Sequence, residues 1–201
     1  SELVGLIPLK SMLDAGKYFL KKQQRSVGID DAEIIKIAIK TMGLDELDDF
    51  NPKEKIIEYN ISNNIGELCK LNLEEFAQKT ASEAPAPGGG SVSAYLGSLG
   101  ISLGTMVANL SSHKRGWDDR WEEFSNIAEK GQKHINKLLE LVDKDTESFN
   151  QIMQAFRLPE GDKKEKQIKL EAILKATIHA IEVPLEIMKT SLESMDIIKE
   201  M

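Results

Sequence analysis

Between Trp121 and Phe156 the seam positions of the chain recur at steps of three and four: Trp121, Phe124, Ala128, Gly131, Ile135, Leu138, Val142, Asp145, Phe149, Ile152, Phe156. A period of 3.5 kept over five heptads has one common physical solution, a long helix laid along other helices. The pattern predicts that helix over about 118–157, stopped by Leu158-Pro159. Two members break the apolar rule. Gly131 asks for a close neighbour or a local bend. Asp145 sets a carboxylate among Leu138, Val142 and Phe149, where it needs hydrogen-bond donors or a raised pKa. Its neighbours Asp143 and Glu147 are expected to face water.

The stretch before this helix narrows the fold further. Residues 91–112 carry no charge, long enough to span a bilayer, but eight Ser, Thr and Asn side chains in it favour a buried helix. Gly97, Gly100, Gly104 and Ala108 lie three or four residues apart. Each interior glycine costs about 1 kcal/mol against alanine, so a small-residue face pressed on a neighbouring backbone is expected. A last helix is predicted from about Lys163, with Leu170, Ile173, Leu174, Ile181, Leu185, Met188 and Leu192 on its apolar face and a kink at Pro184.

The first third reads differently. "ELVGLIPL" is apolar and β-rich, like the last strand of a sheet begun elsewhere. A helix from Pro8 to about Arg25 follows, then one with Asp30 as N-cap, Glu33 completing a capping box and Gly43 as stop. "NPKEKIIEYNI" is expected to form a short ordered element, with a strand as one option. Asn72 and Glu75 repeat the capping box and open a short helix to about Ser82. The expected organisation is a small α/β remnant over 1–60, a connector over 61–70 and a helical domain over 71–201. Both chain ends read as cut.

Charge and cysteine content restrict function. Twenty-six basic against 33 acidic residues give a net charge of −7, which disfavours nucleic acid as a main partner. A lone cysteine, Cys69, makes no internal disulfide and fits a reducing, cytoplasmic setting. No signal leader is seen, and no membrane association is expected.

Three places could carry chemistry. "APAPGGG" leads into a helix start at Ser91, so first-turn N–H groups could meet an anionic or polar ligand; a tight turn that lets two helices pack is the plainer reading. Asp145 could act as a general acid–base, or could cap and bridge helices. Lys114 and Arg115 could hold a carboxylate, with Trp117 stacking on a flat ring, or could complement a helix dipole. His113, His134 and His179 show no metal-ligand spacing, so neither a metal nor a histidine catalyst is expected.

"ELVGLIPLKSMLDAG", "TMGLDELDDFNPKEKIIEY", "SEAPAPGGGSVSA" and "LVDKDTESFNQIMQAFRLP" together resemble the formiminotransferase-cyclodeaminase family, in that family's order. The resemblance implies that 1–60 is the end of a formiminotransferase domain. It implies that 71–201 is most of a cyclodeaminase domain, all-helical, cut at its C-terminus. The implied substrate is a tetrahydrofolate derivative, 5-formiminotetrahydrofolate, closed to 5,10-methenyltetrahydrofolate with loss of ammonia, within histidine breakdown. Asp145 would be the acid–base catalyst. Gly88, Gly89, Gly90 and Ser91 would hold the pterin or a carboxylate through their main chain.

Lys114, in "NLSSHKR" where the family shows "NLTxGKK", would attract the folate's glutamate tail, with His113 in the place of a glycine. The transferase histidine belongs to a part of that domain not present in this chain. A homo-oligomer, dimeric or larger, is implied. Two alternatives stay open: a methenyltetrahydrofolate cyclohydrolase, and a non-catalytic module that holds folate or joins subunits.

Overall fold

A computed structural model describes residues 3–61 and 66–200 of the chain. They form eight helices and no named strand: α1 Leu9–Lys22, α2 Asp31–Met42, α3 Pro52–Lys55, α4 Ile57–Ile61, α5 Leu73–Thr80, α6 Gly89–Ser111, α7 Trp121–Phe156 and α8 Lys163–Lys199. One 3-10 turn, Asp118–Arg120, precedes α7. The fold is therefore mostly α. The expected α/β remnant is reduced to a single parallel bridge between Ile7 and Ile56. The Ile7 N–H donates to the Lys55 carbonyl, and the Ile57 N–H donates to the Ile7 carbonyl. The apolar run at Val4–Ile7 has no further strand to pair with among the described residues. "NPKEKIIEYNI" is two short helices around that bridge rather than a strand, with Asn51 capping α3 and Pro52 in its first turn. Of the connector expected over 61–70, residues 62–65 lie outside the described residues.

The chain divides into two compact units. One gathers Ser1–Asn64, Ser102–Lys133 and Ile197–Met201; the other gathers Ile65–Ile101 and His134–Asp196. In the first, α1 and α2 pack through Met12, Ile35, Ala38 and Ile39, with Ile56 closing the cluster. Gly16 permits this approach, because a Cβ there would lie 2.3 Å from the Ile34 carbonyl oxygen. Asp30 caps α2 by accepting the Ala32 N–H, and Gly43 ends it at φ 63°. Glu33 pairs with Lys36 and forms no capping box. At the start of α1, the Leu9 N–H donates to the Glu58 carboxylate at 2.6 Å, which supplies the cap that Pro8 lacks.

The loop after α1 is wedged against the middle helices of the same unit. The Val27 N–H donates to Ser125 Oγ, and Asn109 donates its side-chain amide to the Gly28 carbonyl. A Cβ at Gly28 would stand 2.2 Å from the Ala128 carbonyl carbon.

The middle helices meet through small residues. In α6 the buried positions are Ser91, Ala94, Ser98, Ile101, Gly104, Thr105 and Ala108. Leu96, Leu103 and Leu110 on the same helix are exposed. Gly104 and Ala108 are on the buried side as expected, Gly97 meets Leu138 and Ser191, and Gly100 looks into open space. Gly131 of α7 is a close-contact glycine, with Thr105 Oγ1 2.1 Å from where its Cβ would be. α6 is long and apolar enough to cross a membrane. Its small-residue face is instead packed on neighbouring helices.

In α7 the expected seam is buried through Phe124, Ala128, Gly131, Leu138 and Val142, then slips. Beyond it the buried residues are Ser148 and Ala155, while Phe149 and Phe156 are exposed. A straight helix drifts about 20° per heptad from a 3.5 repeat, so a seam this long turns its last residues outward. α8 continues through Pro184 as one helix. Its buried stripe is Ala176, Val183, Ile187, Thr190 and Ser194, and the expected apolar residues Leu170, Leu174, Ile181 and Leu192 are exposed.

Candidate functional site

In the second unit the Pro/Gly segment ends at the N-terminus of α6, and Asp145 of α7 reaches that terminus. The Ser91 N–H donates to Asp145 Oδ2 at 2.8 Å, and Ser91 Oγ lies 3.1 Å from the same oxygen. Early N–H groups of a helix have no intrahelical acceptor, and a carboxylate there also meets the positive end of the helix dipole. Asp145 thus caps α6 from another helix. Ser91 is wholly buried. Its hydroxyl also reaches the Val142 carbonyl at 2.8 Å and Thr146 Oγ1 at 3.2 Å. Gly90 is required where it stands: a Cβ there would lie 2.1 Å from Asp145 Oδ1. Cβ atoms at Gly88 and Gly89 would meet nothing within 4 Å, so that edge of the loop borders open space. α5 is held nearby by the Phe76 and Tyr95 rings, 5.3 Å apart.

Asp145 is half-buried. Its Oδ2 is engaged by Ser91, while Oδ1 has no hydrogen-bond partner among the described residues. An anchored carboxylate with one open oxygen, beside a glycine edge with room for a ligand, can accept a proton at a fixed point and return it.

Asp143, two residues earlier, does not face water. It accepts N–H bonds from Leu68 at 2.8 Å and from Cys69 at 3.3 Å. Gly66 packs so closely that a Cβ would fall 1.9 Å from the Asp143 carboxyl carbon. The i, i+2 spacing sends the two carboxylates to different segments, one to the turn before α5 and one to α6. Burial first, then the hydrogen bond and charge of Asp143, push the Cys69 thiol up to about 12. Glu147 is exposed as expected.

Lys114 belongs to the first unit, after the C-terminal end of α6. Its Nζ sits 4.3 Å from the centre of the Trp117 ring, within cation–π range. Trp117 stacks on buried Phe124 at 5.3 Å. Arg120, bidentate on Glu123, covers both rings. His113 is exposed, His134 is 3.5 Å from Glu193, and His179 is 4.0 Å from Glu182. Among the described residues no three His, Cys, Asp or Glu side chains are grouped to hold a metal.

The structure thus brings Gly90, Ser91 and Asp145 together, with Gly88 and Gly89 on the open edge, and holds Lys114 on Trp117. Thr146 is not singled out by the sequence, and Asp143 is misplaced by it, to water instead of to the turn before α5. The Asp-x-Asp spacing on a helix was the available signal for Asp143; Thr146 carried none, because a threonine one position past a seam residue has many ordinary uses.

Two family models match the chain. The model described as formiminotransferase-cyclodeaminase covers residues 72–201, and the formiminotransferase domain model covers 1–62. Formimidoyltransferase-cyclodeaminase of Gallus gallus is 34% identical over 92% of this chain and 34% of its own length. Methenyltetrahydrofolate cyclohydrolase of Methylorubrum extorquens is 31% identical over 62% of the chain and 60% of its length. The crystal structure of formiminotetrahydrofolate cyclodeaminase from Thermotoga maritima is 28% identical, covers 66% of this chain and 73% of that one, and superposes with a TM-score of 0.45. The chain spans about a third of the length of the formimidoyltransferase-cyclodeaminases it matches. With its family model covering well over half of the residues, the chain belongs to the formiminotransferase-cyclodeaminase family.

Proposed function

We propose that residues 71–201 contribute a formimidoyltetrahydrofolate cyclodeaminase, an ammonia-lyase of folate one-carbon metabolism. The observation that carries this reading is the half-open Asp145 carboxylate, fixed by Ser91 against Gly90. N10 of 5-formiminotetrahydrofolate attacks the carbon of the protonated formimino group, whose nitrogen becomes an amino group, and Asp145 takes the N10 proton. The tetrahedral adduct then expels its amino nitrogen, which leaves as ammonia with the proton that Asp145 returns. 5,10-Methenyltetrahydrofolate remains. One carboxyl serves both transfers, so the two protonation states of Asp145 alternate within a turnover.

The substrate lies along the open edge at Gly88 and Gly89, where main-chain approach is unobstructed. Lys114, on its Trp117 platform, attracts the glutamate tail of the folate. A second copy of the chain completes the site in a cytoplasmic homo-oligomer. Exposed Leu96, Leu103 and Leu110 along α6 support such pairing. Residues 1–60 are the end of a formiminotransferase domain joined by a connector over 61–70, and the longer protein also transfers the formimino group from formiminoglutamate.

The Methylorubrum relative supports a second reading, hydrolysis of methenyltetrahydrofolate by the same helical domain. One assay separates the two. Methenyltetrahydrofolate absorbs in the near ultraviolet. Its appearance from 5-formiminotetrahydrofolate is the expected result, and its disappearance without any ammonia release favours the cyclohydrolase. Folate binding with no absorbance change in either direction would leave only a holding or assembly module.

A further inference from the structure

Ser91 was expected to touch the substrate through its main chain, but its N–H is taken by Asp145 and its side chain is wholly buried. We infer that the Ser91 hydroxyl, steadied by Thr146, is a positioning device that lets Asp145 hold a charge and a proton by turns; the inference rests on the cyclodeaminase reading of Asp145.

A serine hydroxyl has one proton to donate and two lone pairs to accept with. Besides the Thr146 hydroxyl, two acceptors compete for that proton here, the Val142 carbonyl at 2.8 Å and Asp145 Oδ2 at 3.1 Å. Thr146 Oγ1, 3.2 Å away, can donate to the Ser91 oxygen in either case. While Asp145 is ionised, Oδ2 is the stronger acceptor and draws the Ser91 proton. When Oδ1 takes a proton from substrate, Oδ2 becomes a neutral carbonyl oxygen. The Ser91 hydroxyl then turns to Val142, and the Ser91 N–H alone keeps the carboxyl in place.

No buried group of this set loses all its partners in either state, so neither state carries the desolvation penalty of an orphaned polar group. Oδ1 is left as the reactive oxygen, because it is the one without a protein partner and the one beside Gly90. The first turn of α6, Gly89 to Val92, brings no titratable side chain to the carboxyl. Lys144 is engaged by Glu140 at 2.6 Å, and Asp143 by the Leu68 and Cys69 N–H groups.

The test follows methenyltetrahydrofolate formation by the full-length protein. Asp145→Asn is measured first, and its normal turnover would remove the reading and the inference together. With Asp145→Asn inactive, Ser91→Ala is expected to lower kcat about tenfold to a hundredfold, the size of a lost hydrogen bond to a charged group. KM should stay within about twofold. Ser91→Thr, which keeps the hydroxyl, should recover most of the loss. Wild-type kcat in Ser91→Ala, or equal loss in the alanine and threonine variants, overturns the inference and leaves the reading of Asp145 intact. Should Ser91→Ala fail to fold, Thr146→Val decides. A drop in kcat of about threefold or more at unchanged KM supports the inference, and unchanged kcat overturns it.

Discussion

At the scale of single residues, glycines that look alike in the sequence have different duties. Gly90 faces a carboxylate, whereas Gly88 and Gly89 face open space. Gly90→Ala should therefore displace Asp145, cost about 1–3 kcal/mol of stability and remove most turnover. Gly89→Ala should fold normally and raise KM by crowding the ligand edge; a thermal melt beside steady-state kinetics on both variants checks the contrast. Asp145→Asn should lower kcat by at least about a hundredfold, read from methenyltetrahydrofolate absorbance. Cys69 is a third case. Burial and Asp143 raise its thiol to about 12, so little thiolate exists in the folded protein at pH 8 and a thiol reagent should react only on unfolding. Since the folded value lies above the unfolded one, the neutral thiol's contribution to stability is complete below about pH 9 and is lost as pH rises towards 12. Rapid labelling of native protein at pH 8 would contradict this.

At the scale of elements, the sequence told more about where helices run than about which side they bury. The starts at Asp30 and Asn72 and the stop at Gly43 were legible because capping chemistry is local. The small-residue face expected on α6 is buried at Gly104 and Ala108, but the buried face of α8 was harder. Pattern reading ranks residues by size, so it assigned Leu170, Leu174 and Leu192 to the core, yet α8 buries Ala176, Thr190 and Ser194 beside Val183 and Ile187 and leaves those leucines outside. Close helix approach selects small residues, and large ones then find room only on the outer face. The single bridge at Ile7 was over-read as a strand, because a short apolar run reads the same in a bridge, a loop or a sheet. Of the candidate site, the loop and Asp145 stand out in the sequence, but only coordinates reveal that Ser91 bonds the carboxylate and that Thr146 bonds Ser91. Glycine contact also ranks damage between elements. A Cβ at Gly28 meets the Ala128 backbone rather than a movable side chain, so Gly28→Ala should cost about 3 kcal/mol or more. Chemical denaturation would expose the error if the loss were below about 1 kcal/mol.

At the scale of the whole molecule, ion pairs and apolar faces set the response to conditions. Lys17 and Glu129, 2.7 Å apart and partly buried, tie α1 to α7 within the first unit. The hydrogen bond from Lys17 holds the Glu129 carboxyl below its ordinary value. A depressed carboxylate stabilises the fold above its unfolded pKa, and the contribution disappears as pH falls through the folded value. Lys17→Ala should thus cost about 1 kcal/mol near neutrality and little in strong acid, as paired melts at pH 7 and pH 3 would reveal. Equal losses at both values would contradict it. Leu103 and Leu110 of α6 and Leu174 and Leu192 of α8 remain uncovered in one copy of the chain. Sedimentation should find self-association that weakens when Leu103 and Leu110 are both changed to serine.

The brace that Asp145 places on the first turn of α6 has a bearing on how this family can change. Replacing a working side chain commonly makes a protein sturdier, because such groups sit in uncomfortable surroundings. Here the carboxylate braces a helix end, so under the proposed mechanism its removal frees that end as well as stopping the proton transfer. On that reading, selection for robustness and selection for turnover pull the same way at this position, and drift has no cheap first step away from aspartate.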